Sequence, residues 1–202
     1  GAATVTATDS REIYKYAAVF TRFSLSYDKR YLLNLTGRRD GSSRFGPGNQ
    51  FANFGAIGAG WVFSNEPFLK PQQSWLNYGK IRGSYGITGN DQISNYQYLE
   101  SWTGTSYTYG AVPGLRPVKL FNPDYRWEQN RKLELALELG LLKDRIQFTA
   151  SWFNNLSGNQ IINYVLPAQS GFRSVLRNFP GLIRNRGFEL EISSRNIQSS
   201  RF

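Results

Sequence analysis

Apolar and polar residues alternate along this chain, and the pattern is clearest on either side of a Gly- and Ser-rich stretch. In residues 31–38 the odd positions from Tyr31 are mostly apolar, and the even positions from Asn34 are polar. In residues 54–63, the odd positions again share apolar side chains, namely Ile57, Ala59, Trp61 and Phe63. Two period-2 runs joined by such a loop predict an antiparallel hairpin. Runs of about 9–11 residues are long enough to cross a bilayer as tilted strands.

The second half of the chain repeats this pattern more strictly. Leucine occupies every odd position from Leu133 to Leu141, with Glu, Ala and Gly between. Leu, Glu, Ala and Lys favour helices by intrinsic propensity. The period decides against a helix, because five leucines at spacing two would spread around a helix but form one face of a strand.

The alternation predicts about seven strands, joined by short and long connections in turn. The strands are expected at residues 18–27, 31–38, 54–63, 78–88, 131–141, 146–153 and 188–193. Short turns are expected at 28–30 and 143–144, an irregular or helical connection at 65–75, and long loops at 89–130 and 155–180. Aromatic residues are expected near strand ends, as in a membrane-interface girdle: Tyr27, Tyr31, Trp61, Phe63, Tyr78 and Trp152.

Two all-β architectures fit this pattern. A soluble β-sandwich also alternates apolar and polar residues, so an aromatic-rich carbohydrate-binding sandwich is one alternative. Strands longer than the usual ~5–6 residues, and connections that alternate between short and long, favour an antiparallel transmembrane β-barrel. The sequence therefore predicts an all-β segment that supplies about seven strands of a barrel.

The composition excludes several kinds of site. The 202 residues contain no Cys, Met or His, so disulfides, the usual metal clusters and His-dependent nucleophile systems are absent. Glu134 with Glu138, and Glu189 with Glu191, are same-face carboxylate pairs that resemble the catalytic pair of a glycosidase. The sequence pattern provides no apolar pocket that would raise the pKa of one carboxyl group in either pair. We therefore expect no enzymatic activity and no cofactor.

The net charge of +10 ordinarily suggests nucleic acid or an anionic surface. The basic residues are scattered, without a dense run or a recognition-helix pattern, so nucleic acid is not an expected partner. The first ten residues show no signal peptide, and without an initiator Met the chain is expected to be an internal fragment or a processed product.

Seven blocks of the sequence, in order, resemble the C-terminal barrel of the SusC/RagA-type TonB-dependent outer-membrane transporters. The blocks are RYLLNLTGRRDGSSRFG, GWVFSNEPF, WLNYGKIRGSYGITGN, LFNPDYRWEQNRKLELALELGLLKDRI, SWFNNLSGNQII, LPAQSGF and IRNRGFELEI. The resemblance extends over nearly the whole chain, from about Tyr27 to Glu191.

The resemblance implies a large plugged barrel in the outer membrane, of a size class of about 22 strands. Residues 1–202 would form only its later strands, with the plug domain and the earlier strands absent. The implied activity is import of an oligosaccharide or peptide, and the implied partners are a SusD-like surface lipoprotein, TonB (through parts outside this chain), the remaining barrel and plug, and outer-membrane lipid.

Three groups of residues are candidates for function. Inward-facing polar residues could line the lumen or contact the plug, or could simply form cross-strand pairs: Arg22, Asn34, Arg38, Arg82, Glu134, Glu138, Glu189 and Glu191. Aromatic residues of the long loop could contact ligand or lid, or could pack the loop against itself: Tyr96, Tyr98, Trp102, Tyr107 and Tyr109. The third group is the family-like loop motif Asp40, Gly41, Ser42, Ser43, Arg44, Phe45 and Gly46.

Arg38 and Arg39, just before this motif, together with Asp40 and Arg44 within it, suggest an anion-binding site. A turn is the better expectation, with the side chains of Asp40 and Ser42 bonded to the backbone and with Gly41 and Gly46 at positive φ.

Overall fold

The computed structural model describes residue 9 and residues 11–72, 75–110 and 112–196. These residues form eleven β-strands and three short 3₁₀ helices. The strands are β1 (Tyr16–Tyr27), β2 (Tyr31–Ser42), β3 (Phe51–Trp61), β4 (Leu76–Asn90), β5 (Ser101–Tyr109), β6 (Val112–Lys119), β7 (Glu128–Leu141), β8 (Ile146–Gly158), β9 (Ile161–Val165), β10 (Ser174–Asn178) and β11 (Leu182–Ser194). The 3₁₀ helices are η1 (Phe63–Asn65), η2 (Pro67–Gln72) and η3 (Ala168–Ser170). In this described part of the chain, no helix is long and apolar enough to cross a membrane.

One sheet contains seven of the strands in the order β1-β2-β3-β4-β7-β8-β11, and every neighbouring pair in it is antiparallel. The seven strands predicted from the sequence are thereby confirmed. They have 11 to 15 residues each, which is longer than a sandwich strand usually is. The sandwich alternative is wrong, because the long strands form a single layer with β1 and β11 at its edges.

The register separates the residues of this sheet into two faces. Residues directly opposite in an antiparallel ladder share a face. The rows Leu25–Leu33–Ala59 and Leu135–Trp152–Phe188 therefore belong to one face, the apolar face, which also carries Leu133, Leu137 and Leu139. The opposite face, the polar face, carries Lys80, Arg82, Ser84, Glu134, Glu138 and Thr149. Alternation in the sequence has thus become two chemically different surfaces.

The two ends of the sheet also differ. Residues 28–30, 62–75 and 142–145 connect strands at one end, the turn end. Residues 43–50, 91–127 and 159–181 connect strands at the other, the loop end. The short connections predicted at 28–30 and 143–144 and the long ones predicted at 89–130 and 155–180 are confirmed. The two remaining connections, residues 43–50 and 62–75, do not follow the alternation. The turns are tight, since Asp28 and Lys29 and then Leu142, Lys143 and Asp144 all have positive φ.

Both long loops contain hairpins that the sequence analysis missed. β5 pairs with β6, and β9 pairs with β10, each pair forming a separate two-stranded sheet. β5–β6 has two register irregularities and several Gly and Pro residues, which interrupt a period-2 pattern. β9 and β10 have only five residues each, too few for periodicity to be visible. The girdle prediction was also wrong for Trp152, which lies in the middle of β8.

Buried side chains concentrate at the loop end, where the main cluster is Phe45, Phe54, Tyr125 and Trp127. The apolar face of the sheet is exposed by contrast; Val19 is 76% exposed and Phe188 81%. A surface of this kind needs an apolar surrounding, since large exposed apolar patches are rare on proteins in water.

Candidate functional site

The loop end is held together by aromatic rings from two connections and from strand β3. The ring of Phe45 stacks on Trp127 at a centroid distance of 4.9 Å and lies 6.0 Å from that of Tyr125. Phe54, from β3, meets Trp127 edge-on at 5.6 Å. Burial raises the pKa of Tyr125 to about 12, so its hydroxyl stays neutral. The loops therefore form a packed layer on top of the sheet.

The segment NPDYRWE connects the two hairpins of the loop end. The side-chain amide of Asn122 donates to the backbone oxygen of Leu176 in β10, at 2.8 Å. Asn178, also in β10, donates its amide to the Arg126 oxygen and accepts from the Arg126 N–H, at 2.8 and 3.0 Å. Glu128 accepts from the backbone N–H of Ile161 in β9, at 2.9 Å. These bonds fix the second loop against the third.

The motif DGSSRFG forms only part of the turn that the sequence predicted, since Ser43 and Arg44 are in a turn. Asp40, Gly41 and Ser42 continue strand β2. Neither Gly41 nor Gly46 has a positive φ; within this loop only Gly48 does. The two glycines are needed for space, because a Cβ at Gly41 would lie 2.5 Å from the ring of Phe51 and one at Gly46 would lie 2.9 Å from the ring of Tyr98.

The polar side chains of the motif were partly misassigned as well. Asp40 accepts from the Arg38 guanidinium at 2.5 Å, so this carboxylate pairs along its strand and does not set a turn. The same guanidinium donates to the hydroxyl of Tyr16. Ser42 does bond to the backbone as expected, accepting from the Arg44 N–H at 3.3 Å. Ser43 accepts from the backbone N–H of Lys15 at 2.9 Å.

Arg44 connects the first loop to the second. Its Nε donates to Asn95 at 3.1 Å, and its Nη1 donates to the backbone oxygen of Asp91 at 2.8 Å. Its guanidinium lies 4.1 Å from the ring centre of Tyr14, whose hydroxyl donates to the Asp91 carboxylate at 2.7 Å. Burial, followed by the bond to Asp91, raises the pKa of Tyr14. Arg44 is thus engaged within the protein and is not free to bind an anion.

The five aromatic candidates of the long loop fall into different environments. Tyr98 packs against the buried aromatic cluster. Tyr96 has a positive φ of 60° and accepts from the backbone N–H of Ile13 at 3.1 Å. Trp102 and Tyr107, on β5, are 53% and 87% exposed. Tyr109 is also on β5, but its side chain lies outside the described part of the structure.

The eight polar candidates all lie on the polar face. On the three strands β4, β7 and β11 the register brings Arg82, Glu134, Glu138, Glu189 and Glu191 to that face, and on β1 and β2 it brings Arg22, Asn34 and Arg38. An open concavity of ≈ 550 Å³ occupies part of this face, lined by Ser84, Lys132, Glu134, Phe153, Asn155 and Glu189 among others.

A charge network occupies the middle of the polar face. The Arg82 guanidinium donates to Glu138 at 2.7 Å and to Glu134 at 2.6 Å. Lys80 donates to the other Glu138 oxygen at 3.4 Å. Because the partners are on neighbouring strands, the network stabilises the pairing of β4 with β7. Among the described residues, Arg22, Glu189 and Glu191 have no ion-pair partner.

Sequence reasoning missed a carboxylate at the turn end. Glu66 is only 7% exposed and accepts from the indole N–H of Trp61 at 3.0 Å, the hydroxyl of Tyr31 at 2.8 Å and the guanidinium of Arg30 at 2.8 Å. The Trp61 bond, and next the Tyr31 bond, lower the pKa of Glu66. The signal in the sequence was an acidic residue three positions after the aromatic run GWVF.

Comparison with known proteins gives the family. The family model described as "TonB dependent receptor-like, beta-barrel" matches residues 1–201. TonB-dependent receptor P39 of Formosa agariphila is 33% identical over 186 residues, which are 92% of this chain and 18% of that protein. TonB-dependent receptor SusC of Bacteroides thetaiotaomicron is 28% identical over 194 residues, 91% of this chain and 19% of SusC.

Solved structures agree with this result. The structure of the RagAB peptide transporter matches with a TM-score of 0.83 and 29% identity, over 93% of this chain and 20% of that one. The siderophore receptor PirA of Pseudomonas aeruginosa, at 14% identity and a TM-score of 0.57, shares the fold. The chain spans about a fifth of the length of the relatives it matches. It belongs to the TonB-dependent receptor-like β-barrel family, with SusC/RagA-type relatives, and forms part of an outer-membrane barrel.

Proposed function

We propose that this chain forms part of the wall and the extracellular loops of a TonB-dependent importer that takes up a bulky nutrient, an oligosaccharide or a peptide, with a SusD-like surface lipoprotein as its lid. The observation that carries this proposal is the match of nearly the whole chain to both SusC and the RagAB peptide transporter. The plug domain, the contact with TonB and the remaining strands would come from other parts of the same transporter.

In this proposal the apolar face contacts lipid and the polar face lines the lumen. The leucine row of β7 supports the first assignment, because an outer-membrane barrel carries apolar side chains toward lipid and polar ones inward. The network around Arg82 supports the second, since paired charges are tolerated where water is present. The unpaired Arg22, Glu189 and Glu191 are then the residues available to the plug or to a passing substrate.

The β5–β6 hairpin is the part of the loop end best suited to contact ligand or lid. Tyr96 and Tyr98 hold the loop in place through the contacts described above. Trp102 and Tyr107 are exposed instead, and exposed aromatic side chains of this kind often dominate recognition energetics. They lie on a hairpin outside the seven-stranded sheet, so their replacement should leave the wall intact.

The test is the double variant W102A/Y107A in the full-length transporter. Growth on the cognate nutrient should fall, and affinity for ligand or lid should weaken about tenfold or more, as for truncated hot-spot aromatics. Barrel assembly and surface exposure should be unchanged. The matched control is F68A/W75A, since Phe68 and Trp75 are 66% and 53% exposed but lie at the turn end.

Wild-type uptake and lid association in W102A/Y107A would reject the contact role of the hairpin. Failure of the full-length protein to import any oligosaccharide or peptide, with or without its neighbouring lipoprotein, would reject the importer itself.

A further inference from the structure

The charges on the apolar face are all of one sign. On the seven strands of the main sheet, the register assigns four charged residues to this face, and all four are arginines: Arg39, Arg131, Arg184 and Arg186. All four lie in the half of the sheet nearer the loop end. The polar face carries charges of both signs, such as Arg82 with Glu138. A single-sign group on the face otherwise filled by Leu, Phe and Ile requires a separate explanation.

Three of these arginines lie close together. Arg131 and Arg184 are both opposite Leu156, so they occupy one row, two strand spacings or about 10 Å apart. Arg186 is two residues from Arg184 on the same face of β11, or about 7 Å along the strand. Arg39 lies several strands away and is already engaged, with its guanidinium 5.3 Å from the ring centre of Phe51.

The three neighbouring arginines have no anionic partner. All three are exposed, and none forms an ion pair with another described residue. The patch thus offers three guanidinium groups beside an apolar surface.

We propose that Arg131, Arg184 and Arg186 bind the phosphate-bearing headgroup of an outer-leaflet glycolipid, whose acyl chains lie against the adjoining part of the apolar face. Guanidinium groups bind phosphate through paired hydrogen bonds. A free phosphate ion would account for the arginines but not for the adjoining Leu133 and Phe188.

This inference rests on the proposed orientation, in which the apolar face contacts lipid and the loop end is extracellular. The arginines then lie at the level of the outer headgroups, where an anionic surface attracts each basic side chain. A further strand of the complete barrel would pair with the backbone edge of β11 and leave its face, with Arg184 and Arg186, open to lipid.

The test uses the full-length transporter, purified in detergent and titrated with lipid A. The variant R131Q/R184Q/R186Q is compared with K29Q/K143Q/R145Q, which removes the same charge from exposed residues at the turn end. The first variant should bind lipid A about a hundredfold more weakly, at roughly fivefold per arginine, and the control should bind like the wild type. Dephosphorylated lipid A should bind the wild type equally weakly.

Equal binding by both variants, or unchanged binding of dephosphorylated lipid A, would overturn the proposal. Competition by millimolar inorganic phosphate, without any contribution from acyl chains, would show that the site recognises phosphate alone and would also overturn it.

A second measurement separates this inference from the orientation on which it depends. A fluorophore at Leu135→Cys should be quenched by brominated acyl chains in nanodiscs, and one at Ser84→Cys, on the polar face, should not. If the quenching is reversed, the assignment of the faces fails. If the quenching is as expected while R131Q/R184Q/R186Q binds lipid A normally, only the glycolipid site fails.

Discussion

At the residue scale, Gly89 lies where the ring of Phe54 leaves no room for a side chain. A Cβ at Gly89 would lie 2.0 Å from the ring. Phe54 is 9% exposed and packs on Trp127, so the ring has little freedom to move away. Gly104, in β5, has no atom within 4 Å of its Cβ position and provides a matched control.

We therefore expect Gly89→Ala to destabilise the loop end by about 1–3 kcal/mol, the usual cost of overpacking, and Gly104→Ala to have little effect. The measurement is thermal unfolding of the full-length transporter in detergent, monitored by circular dichroism. Equal melting temperatures for the two variants would mean that Phe54 is not confined as the structure indicates.

Glu66 gives the turn end a pH dependence. Its lowered pKa means that the folded state favours the carboxylate, so Glu66 stabilises the fold above its ordinary pKa of 4.5 and loses that contribution as the pH falls through the lower folded value. We expect the wild type to lose stability below pH 4.5 more steeply than Glu66→Gln, which has no charge to titrate. Parallel pH profiles of melting temperature for the two proteins would exclude this role.

At the element scale, β7 joins the two halves of the sheet, between β4 and β8. Its leucines face Tyr85, Gly83 and Ile81 on one side and Ala150, Trp152 and Phe148 on the other. Its glutamates face the basic side chains of β4. The same strand therefore contributes to both proposed environments, lipid and lumen.

This arrangement predicts opposite responses to a new arginine on the two faces. Leu135→Arg should cost roughly 2–4 kcal/mol, as for a basic side chain at the lipid midplane of a barrel. Ser84→Arg should cost much less, because Ser84 is exposed on the polar face and directly opposite Glu134. Folding yield and urea stability of the full-length protein in lipid vesicles would measure the difference. Comparable losses of stability at both positions would contradict the proposal that the apolar face contacts lipid.

The long strands could be predicted from the sequence because each shows its own period. Leu133 to Leu141 report their common face within a single strand, without knowledge of any partner. The buried cluster could not be predicted in this way, since Phe45 meets Tyr125 and Trp127 from distant parts of the chain. The need for glycine at positions 41 and 46 could not be predicted either, because only the fold brings the rings of Phe51 and Tyr98 close to these two residues.

At the scale of the whole molecule, the sheet and its loops form two layers that are stabilised by different contacts. The wall exposes apolar side chains such as Phe188 and Leu190, at 81% and 71%, and has edge strands at β1 and β11. The loop end has its own buried aromatic cluster. The wall thus depends on lipid and on neighbouring strands, whereas the loop layer is held by contacts within this chain.

The orientation of these layers across the membrane gives the final prediction. The connections alternate ends along the chain, so Ser106 and Ala168 lie in loop-end segments and Lys143 lies in a turn-end segment. All three side chains are exposed. With single cysteines in the full-length transporter, Ser106→Cys and Ala168→Cys should react with an impermeant thiol reagent on intact cells, because long loops of outer-membrane barrels are extracellular. Lys143→Cys should react only after the outer membrane is permeabilised. Labelling of Lys143→Cys alone on intact cells would reverse the orientation, and labelling of Ser106→Cys without Ala168→Cys would contradict the strand count between them.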